Sequence, residues 1–323
     1  MTTSDRTFAF VMDPIESIDI RSDTTFVLML EAQRRGHRVL YIDPADLGVD
    51  DGVAVAQAQP VTLRREEGRH ADLGAARSIA LDDGVDVVLQ RKDPPVDAAY
   101  VTATQILSLC RRALVLNRPE GILAANEKLY AQHHAELMPP TRVTRSIPQL
   151  LDFMAKLGGE MVVKPLDGRG GEGIFHVRND DRNLLSILEQ STRFQTVRVM
   201  AQQYLPEVRQ GDKRILLLDG EPLGAVMRVP AERELRANLH VGGRPERTEL
   251  DDRDRHIIEC LAPRLRRDGL FFVGIDVIGG RLTEVNLTSP TGVQEINALE
   301  DRRLEAAILD GIEAKLTESA LRT

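Results

Sequence analysis

The sequence predicts an α/β protein, with a parallel-sheet domain first and two smaller antiparallel parts after it. Three observations carry this. A strand, a helix and a second strand succeed one another between Phe8 and Ile42, the order of a parallel βαβ unit. The glycine-rich run from Lys164 to Gly173 leads into another strand, Ile174 to Val177, and not into a helix. The stretch FFVGIDVIGGRLTEVNLTSP (271–290) reads as two strands joined at Gly279-Gly280.

Composition narrows the function classes. At 323 residues the chain is long enough for two or three domains with cores of their own. The balance is acidic, 50 Asp+Glu against 42 Lys+Arg, which argues against a general nucleic-acid or anionic-membrane partner. Cys110 and Cys260 are far apart with no CxxC or Cys/His spacing, so the expectation is buried thiols in a reducing cytoplasm. The N-terminal MTTSDRTFAFVMDP has no basic flank, and no apolar run approaches the ~20 residues of a membrane span.

In chain order, the strand Phe8–Met12 ends at Asp13-Pro14. Ser22 or Asp23 caps a helix over Thr24–Arg35, stopped by Gly36, and the strand His37–Ile42 follows. No GxGxxG lies between them, which disfavours a dinucleotide fold. Residues 50–80 read as polar loop and edge structure. The strand Val85–Leu89 empties into Arg91-Lys92-Asp93-Pro94-Pro95, the end of an α/β strand where ligands sit, so Arg91 is a candidate anion contact. A helix (100–112) and a strand (113–116) close the first unit, and the first boundary is placed near residue 120.

One helix is expected over 121–137, carrying Lys128 and ending at Met138-Pro139-Pro140, with His133 and His134 on its surface. A strand (142–144), a helix (148–157) and the strand Glu160–Lys164 lead to the glycine run. Gly168, Gly170 and Gly171 allow backbone N–H groups to close over phosphates, with Lys164 placed to neutralise them. After a helix (183–190), the strand Val197–Gln203 runs into Tyr204-Leu205-Pro206, where backbone groups can face a base. The strands Ile215–Leu218 and Pro222–Val229 turn tightly at Asp219-Gly220, and a polar loop (230–243) carries Arg233, Arg236 and Asn238. A helix broken near Pro263 (251–267) and a closing helix (296–316) complete the chain.

In the ribbon 271–290 a three-residue loop, Gly279-Gly280-Arg281, pairs Asp276 with Glu284 and sets Asn286 opposite Gly274. That register also gathers Val273, Ile275, Val277, Val285 and Leu287 on one face. A two-residue Gly-Gly turn would instead pair Asp276 with Thr283. Two carboxylates facing across a ribbon repel, and an oxygen-binding dication such as Mg²⁺ relieves them.

Together these parts resemble the ATP-grasp fold, and over nearly the whole chain the bacterial glutathione synthetases. The segments that carry the resemblance are VMDPI (11–15), LMLEAQRRGH (28–37), RKDPP (91–95), NEKL (126–129), KPLDGRGG (164–171), AQQYLP (201–206), GDKR (211–214) and LTEVNLTSPTG (282–292). The resemblance implies a pre-ATP-grasp N-terminal domain (1–120), a central lid subdomain (121–205) and a C-terminal subdomain (206–323) with a mobile loop at 230–243. It implies ATP-dependent ligation of γ-glutamylcysteine to glycine through an acyl phosphate. By position, Lys128 and Lys164 match phosphate-holding lysines beside Gly168, Gly170 and Gly171. Gln202, Gln203, Tyr204 and Leu205 match the adenine hinge, and Asp212 a ribose-side acid. Asp276, Glu284 and Asn286 match ligands of two Mg²⁺ ions, with Mn²⁺ as a substitute. Arg214 matches the oxyanion arginine, a role worth ~3 kcal/mol. Arg228, Arg236, Asn238 and Ser289 match acyl-phosphate and peptide contacts. The resemblance further implies a homo-oligomer, dimer or tetramer, with small-molecule substrates and no nucleic-acid or membrane partner. Two departures stand out: the loop reads AERELRAN with little glycine, and Gln294 occupies a position where relatives often carry arginine. Another ATP-grasp carboxylate–amine ligase, or a nucleotide-binding regulator, would share much of this apparatus.

Overall fold

Buried β-branched and aromatic runs set the strands, and the computed structural model describes residues 5–168, 170–231, 236–237 and 242–320. The first sheet contains β1 (Thr7–Val11), β2 (Arg38–Ile42), β3 (Leu47–Asp50), β4 (Val53–Leu63), β5 (Ala71–Leu73), β6 (Arg77–Ala80), β7 (Val87–Gln90) and β8 (Leu114–Leu116). Its order is β3-β4-β2-β1-β7-β8, with β5 and β6 both on β4. The β2-β1-β7-β8 centre is parallel, as a βαβ opening requires.

Residues 50–80 depart from the loop expectation. β4 runs for 11 residues and pairs antiparallel with β2, β3, β5 and β6. Its buried positions alternate through Ala54, Ala56 and Ala58. Alanine and glutamine are weak strand formers, so partners on both edges, and not propensity, hold this strand.

α1 (Thr24–Arg34) is capped by Asp23, whose carboxylate accepts from Phe26 N at 2.6 Å. α2 (Leu81–Gly84) and α3 (Ala98–Leu107) flank the same sheet. The single helix expected over 121–137 is three pieces: α4 (Pro119–Leu123), α5 (Glu127–Tyr130) and a 3₁₀ stretch (Ala131–Leu137). Asn126 is the reason. Its extended backbone ends one turn, and its side chain caps the next by accepting from Lys128 N and Leu129 N.

The second sheet has order β11-β10-β12-β9, from β9 (Thr141–Thr144), β10 (Glu160–Pro165), β11 (Phe175–Arg178) and β12 (Val199–Gln202). α6 (Ile147–Lys156) and α7 (Leu184–Ser191) cover one face over a core of Leu150, Phe153, Met161, Val163 and Leu188. The third sheet has order β15-β14-β13-β16-β17, from β13 (Asp212–Leu218), β14 (Glu221–Val229), β15 (Arg244–Arg247), β16 (Phe272–Ile278) and β17 (Arg281–Asn286).

α8 (Asp252–Asp268) passes unbroken through Pro263, contrary to expectation. Its stripe of Ile257, Ile258, Leu261, Ala262 and Leu265 is buried against the third sheet, and that packing offsets the missing N–H. The closing helix is two, α9 (Val293–Glu300) and α10 (Leu304–Ala320). They are split at left-handed Asp301 (φ 53°), and Asn297 Oδ1 accepts from Leu304 N.

α10 returns to the first domain. Ile308, Leu309 and Ile312 share a core with Phe8, Phe26 and Leu28. Beside that core Glu31, buried, accepts from Arg34 and Arg35 and pairs with Arg303, while Arg35 bridges to Asp310 and Glu313. Asn117 binds the two halves from below: its Nδ2 donates to Phe272 O and Leu287 O, and its Oδ1 accepts from Phe272 N. Among the described residues no helix is long and apolar enough to cross a membrane.

Candidate active site

The ribbon of β16 and β17 pairs Asp276 with Glu284 and Gly274 with Asn286, as expected, but by a different route. The turn is the two-residue Gly279-Gly280, both at positive φ (56° and 71°), with Ile278 opposite Arg281 and Val277 opposite Leu282. Both glycines in the left-handed region give the turn that matches strand twist. A bulge between Asp276 and Val277 then inserts Thr283 and restores the carboxylate register. Thr283 Oγ1 donates to Asp276 O, and Lys164 Nζ lies 3.5 Å from Thr283 O. The apolar-face argument therefore selected the right partners with the wrong loop.

Register across the third sheet then assembles a charged row. Arg214 on β13 pairs with Asp276 on β16, which pairs with Glu284 on β17. One step along, Asp212 faces Arg228 on β14. Arg214 grips Asp276 through Nε–Oδ1 at 2.5 Å and Nη2–Oδ2 at 3.1 Å, and Arg228 Nη2 lies 3.0 Å from the same Oδ2. Arg228 Nη2 also donates to Asp212 Oδ2 at 2.6 Å. Gly274 makes room for this: a Cβ there would stand 3.0 Å from Arg214 Cδ and 3.2 Å from Pro290 Cβ.

Repulsion between Asp276 and Glu284 is thus relieved by the protein's own cations. Burial alone would raise the Asp276 carboxyl; Arg214 and Arg228 outweigh it and hold the group well below the usual carboxylate range. Lys128 Nζ meets Glu284 Oε1 at 2.9 Å and also donates to Gly168 O at 2.9 Å, tying the glycine flap to β17. Asn126 Nδ2 donates to Leu166 O on the same flap. Asp212 is pushed up to about 6, chiefly by burial, with Arg228 opposing and Asp276 adding to it. Lys164 is buried and its pKa lowered by burial, against the pull of Glu284.

These groups face one cleft of about 840 Å³. Of the residues singled out by sequence, Lys128, Lys164, Gly168, Gly170, Gly171, Gln202, Gln203, Tyr204, Leu205, Asp212, Arg214, Arg228, Arg236, Asp276, Glu284, Asn286 and Ser289 all line it. Two do not join them. Arg91 points into the packing between domains, where Nε donates to Thr25 Oγ1, Nη2 to Pro290 O, and the guanidinium lies 5.6 Å from the Phe272 ring centroid. It supports Pro290 from behind, because the strand end that carries it is covered by the third sheet. Asn238, with Arg233 and most of the loop 230–243, lies outside the described residues. Gln294 is also away from the cleft: its Nε2 donates to Ile20 O and Asp23 O, a packing role that an arginine is not needed for.

Among the cleft residues that the sequence did not single out is Glu127. Glu127 is half-buried beside Lys128, and its Oε1 accepts from Leu287 N, Thr288 N and Thr288 Oγ1. Burial raises its pKa first, and Glu284 next. Its place in NEKL was visible, but its partners are 160 residues away.

The donor set fits a hard dication. Asp276, Glu284 and the Asn286 amide share one end of the cleft, and Asn286 Nδ2 is buried with no hydrogen-bond partner among the described residues. A carboxamide can turn its oxygen to the same place. No cluster of three or more His, Cys, Asp or Glu is preassembled among the described residues.

The comparisons match this geometry. The model of the prokaryotic glutathione synthetase N-terminal domain matches residues 7–122, and that of its ATP-grasp domain residues 127–301. The chain is 47% identical over 308 residues to the glutathione synthetase of Gloeobacter violaceus, covering 93% of this chain and 94% of that protein. It is 44% identical over 308 residues to that of Mesorhizobium japonicum, covering 95% and 98%. Among solved structures, D-cycloserine synthetase DcsG matches with a TM-score of 0.65 at 17% identity, covering 96% of this chain and 99% of that one. The ATP-grasp ligase PsnB in complex with its minimal precursor gives 0.62 at 18%, covering 96% and 98%. At that identity the two structures establish only a shared fold. With both domain models matched in order and relatives aligned nearly end to end, the chain belongs to the prokaryotic glutathione synthetase family of ATP-dependent ligases.

Proposed function

We propose that the cleft joins γ-glutamylcysteine to glycine at the expense of ATP, with the residues of the charged row in the following roles. The observation that carries the reading is the register Arg214–Asp276–Glu284, facing a cleft closed by the glycine flap and two buried lysines. Lys128 and Lys164 neutralise the nucleotide phosphates, and the flap N–H groups of Gly168, Gly170 and Gly171 close over them. Gln202 to Leu205 receive the base, and Asp212 the ribose. Asp276, Glu284 and Asn286 hold two Mg²⁺, or Mn²⁺ in their place, which supply charge neutralisation for the phosphates.

Lys128 is already paired with Glu284, and Arg214 and Arg228 with Asp276, so for these groups nucleotide binding exchanges one set of ion pairs for another. The dipeptide's cysteinyl carboxylate attacks the γ-phosphorus, and the bond to the β-bridging oxygen breaks to release ADP. The neutral amine of glycine then attacks the acyl phosphate's carbonyl carbon, and phosphate departs with the C–O electron pair and takes up the proton that the nitrogen loses. Arg214, Arg228 and Arg236 supply positive charge for the acyl phosphate and the tetrahedral oxyanion. Ser289, whose Oγ donates to Asp93 Oδ1 at 2.6 Å, stands on the wall shared with the N-terminal domain, where the peptide is read. In functional terms residues 1–120 serve the substrate, 121–205 the flap and hinge, and 206–323 the metal ribbon. Both cysteines are free thiols, which suits the cytoplasm.

The test is ADP release across a panel of acids and amines. Turnover requiring γ-glutamylcysteine and glycine together is expected. Turnover confined to another pair, such as two D-alanines, would transfer the chemistry to a different ligase, and no turnover with any pair would leave only a nucleotide-binding protein.

A further inference from the structure

His176 lies outside the cleft wall and has no part in the roles above. It sits on β11, the strand by which the glycine flap returns to the sheet, opposite Val162 on β10. Val162 in turn pairs with Gln202, so flap strand, central strand and hinge strand form one row. The imidazole lies flat on the Tyr204 ring, centroids 4.0 Å apart and planes 16° from parallel. Its Nε2 is 2.9 Å from Glu160 Oε2, a residue two positions before Val162 on the same strand and face. The ring is therefore fixed in plane by the carboxylate and in height by the tyrosine. The imidazole, carboxylate-bearing Glu160 and Tyr204 are all half-buried, away from the hydrophobic core of this sheet.

Tyr204 is a cleft residue in the segment that leaves β12. It follows Gln203, whose N–H donates to Pro140 O; beyond that bond the segment runs free of the sheet. The tyrosine ring packs flat against the imidazole that β11 presents to it. Offset aromatic pairs at such a separation have a defined geometry and hold their partners in plane.

We propose that His176 is a positioning residue for the nucleotide: stacked on Tyr204 and held by Glu160, it joins the return strand of the glycine flap to the base-binding hinge. Flap and hinge are then ordered as one unit, and a purine seated on 202–205 finds the flap already registered above its phosphates. This rests on the assignment of the hinge to the nucleotide base.

Equilibrium binding of Mg-ADP to the full-length protein by calorimetry, with steady-state kinetics, provides the test. His176→Ala should weaken Mg-ADP binding and raise the KM for ATP by about threefold to tenfold, the range of one lost aromatic pair. The KM values for dipeptide and glycine, and kcat, should stay within about twofold. His176→Phe, which keeps the stack and loses the carboxylate contact, should restore nucleotide affinity to within about threefold of the wild type. Equal Mg-ADP affinity in His176→Ala and wild type overturns the proposal, and so does a His176→Phe variant as weak as His176→Ala. Lys164→Ala separates the two levels of inference. If it abolishes nucleotide binding while His176→Ala leaves it untouched, only the positioning role falls; if neither change affects binding, the nucleotide-site assignment falls with it.

Discussion

Glu284→Gln removes one charge from the end of the cleft proposed to hold the metal while keeping its shape. Glu284 Oε1 lies 2.9 Å from Lys128 Nζ, and a glutamine oxygen can accept the same hydrogen bond. The fold should lose only the charge-assisted part, about 1 kcal/mol. That corresponds to a melting temperature lower by roughly 2–4 °C. The effect on a bound dication is larger. Unit charges 4 Å apart attract by about 4 kcal/mol at an effective dielectric near 20, and a dication by roughly twice that. Desolvation consumes more than half of the gain, so a net loss of about 3 kcal/mol is expected, roughly a 100-fold weaker hold on Mg²⁺. The assay is ADP release against Mg²⁺ concentration at saturating ATP, with melting curves recorded with and without Mg-ADP. Wild type should gain stability from Mg-ADP and the variant should gain little. An unchanged Mg²⁺ dependence at near-wild-type rate would remove Glu284 from the metal site and undo the reasoning.

Two further predictions concern the frame that carries the site. Asn117→Ala deletes three hydrogen bonds between the first domain and the third sheet and leaves buried backbone groups of Phe272 and Leu287 unsatisfied. A loss of about 3–4 kcal/mol is expected from denaturant unfolding, and a loss below about 1 kcal/mol would show that water or a neighbour replaces the amide. The Glu31 carboxyl is held down to about 2, first by hydrogen bonds from Arg34, with burial opposing, then by Arg35 and Arg303. A carboxyl depressed on folding stabilises the protein above its unfolded value near 4.5, and that stability drains away as pH falls toward 2; the whole is worth about 3 kcal/mol. Glu31→Gln should therefore be less stable than wild type at pH 7, with a gap that narrows below pH 4.5. A gap independent of pH would show that Glu31 acts by packing alone.

Local signals were legible where the chain resolves its own needs nearby. Asp23 before an amphipathic stretch capped α1, and a glycine run between two strands became a flap over the cleft. Gly279-Gly280 marked the turn between β16 and β17, and an alternating apolar face chose Asp276 and Glu284 as partners. Where neighbours in space overrode local pattern, the sequence misled. Asn126 broke a plausible long helix, and packing carried α8 through Pro263. β4 formed from alanines and glutamines because both of its edges found partners.

Composition, spacing and period thus determined by themselves the α/β class, the glycine flap with Lys164 before it, and Asp276 and Glu284 as partners, while Arg214, Arg228 and the hinge came from the resemblance. Only the tertiary structure decided how those charges are paired. It turned Arg91 inward beneath Pro290, set Gln294 against the N-terminal domain, and placed Glu127 under Thr288. The bulge at Thr283 and the double grip of Arg214 and Arg228 on Asp276 were likewise invisible beforehand. The reason is physical: a cap or a turn is satisfied within a few residues, whereas a buried charge is satisfied by whichever opposite charge the folded sheet brings to it, here from strands some 50 to 60 positions apart.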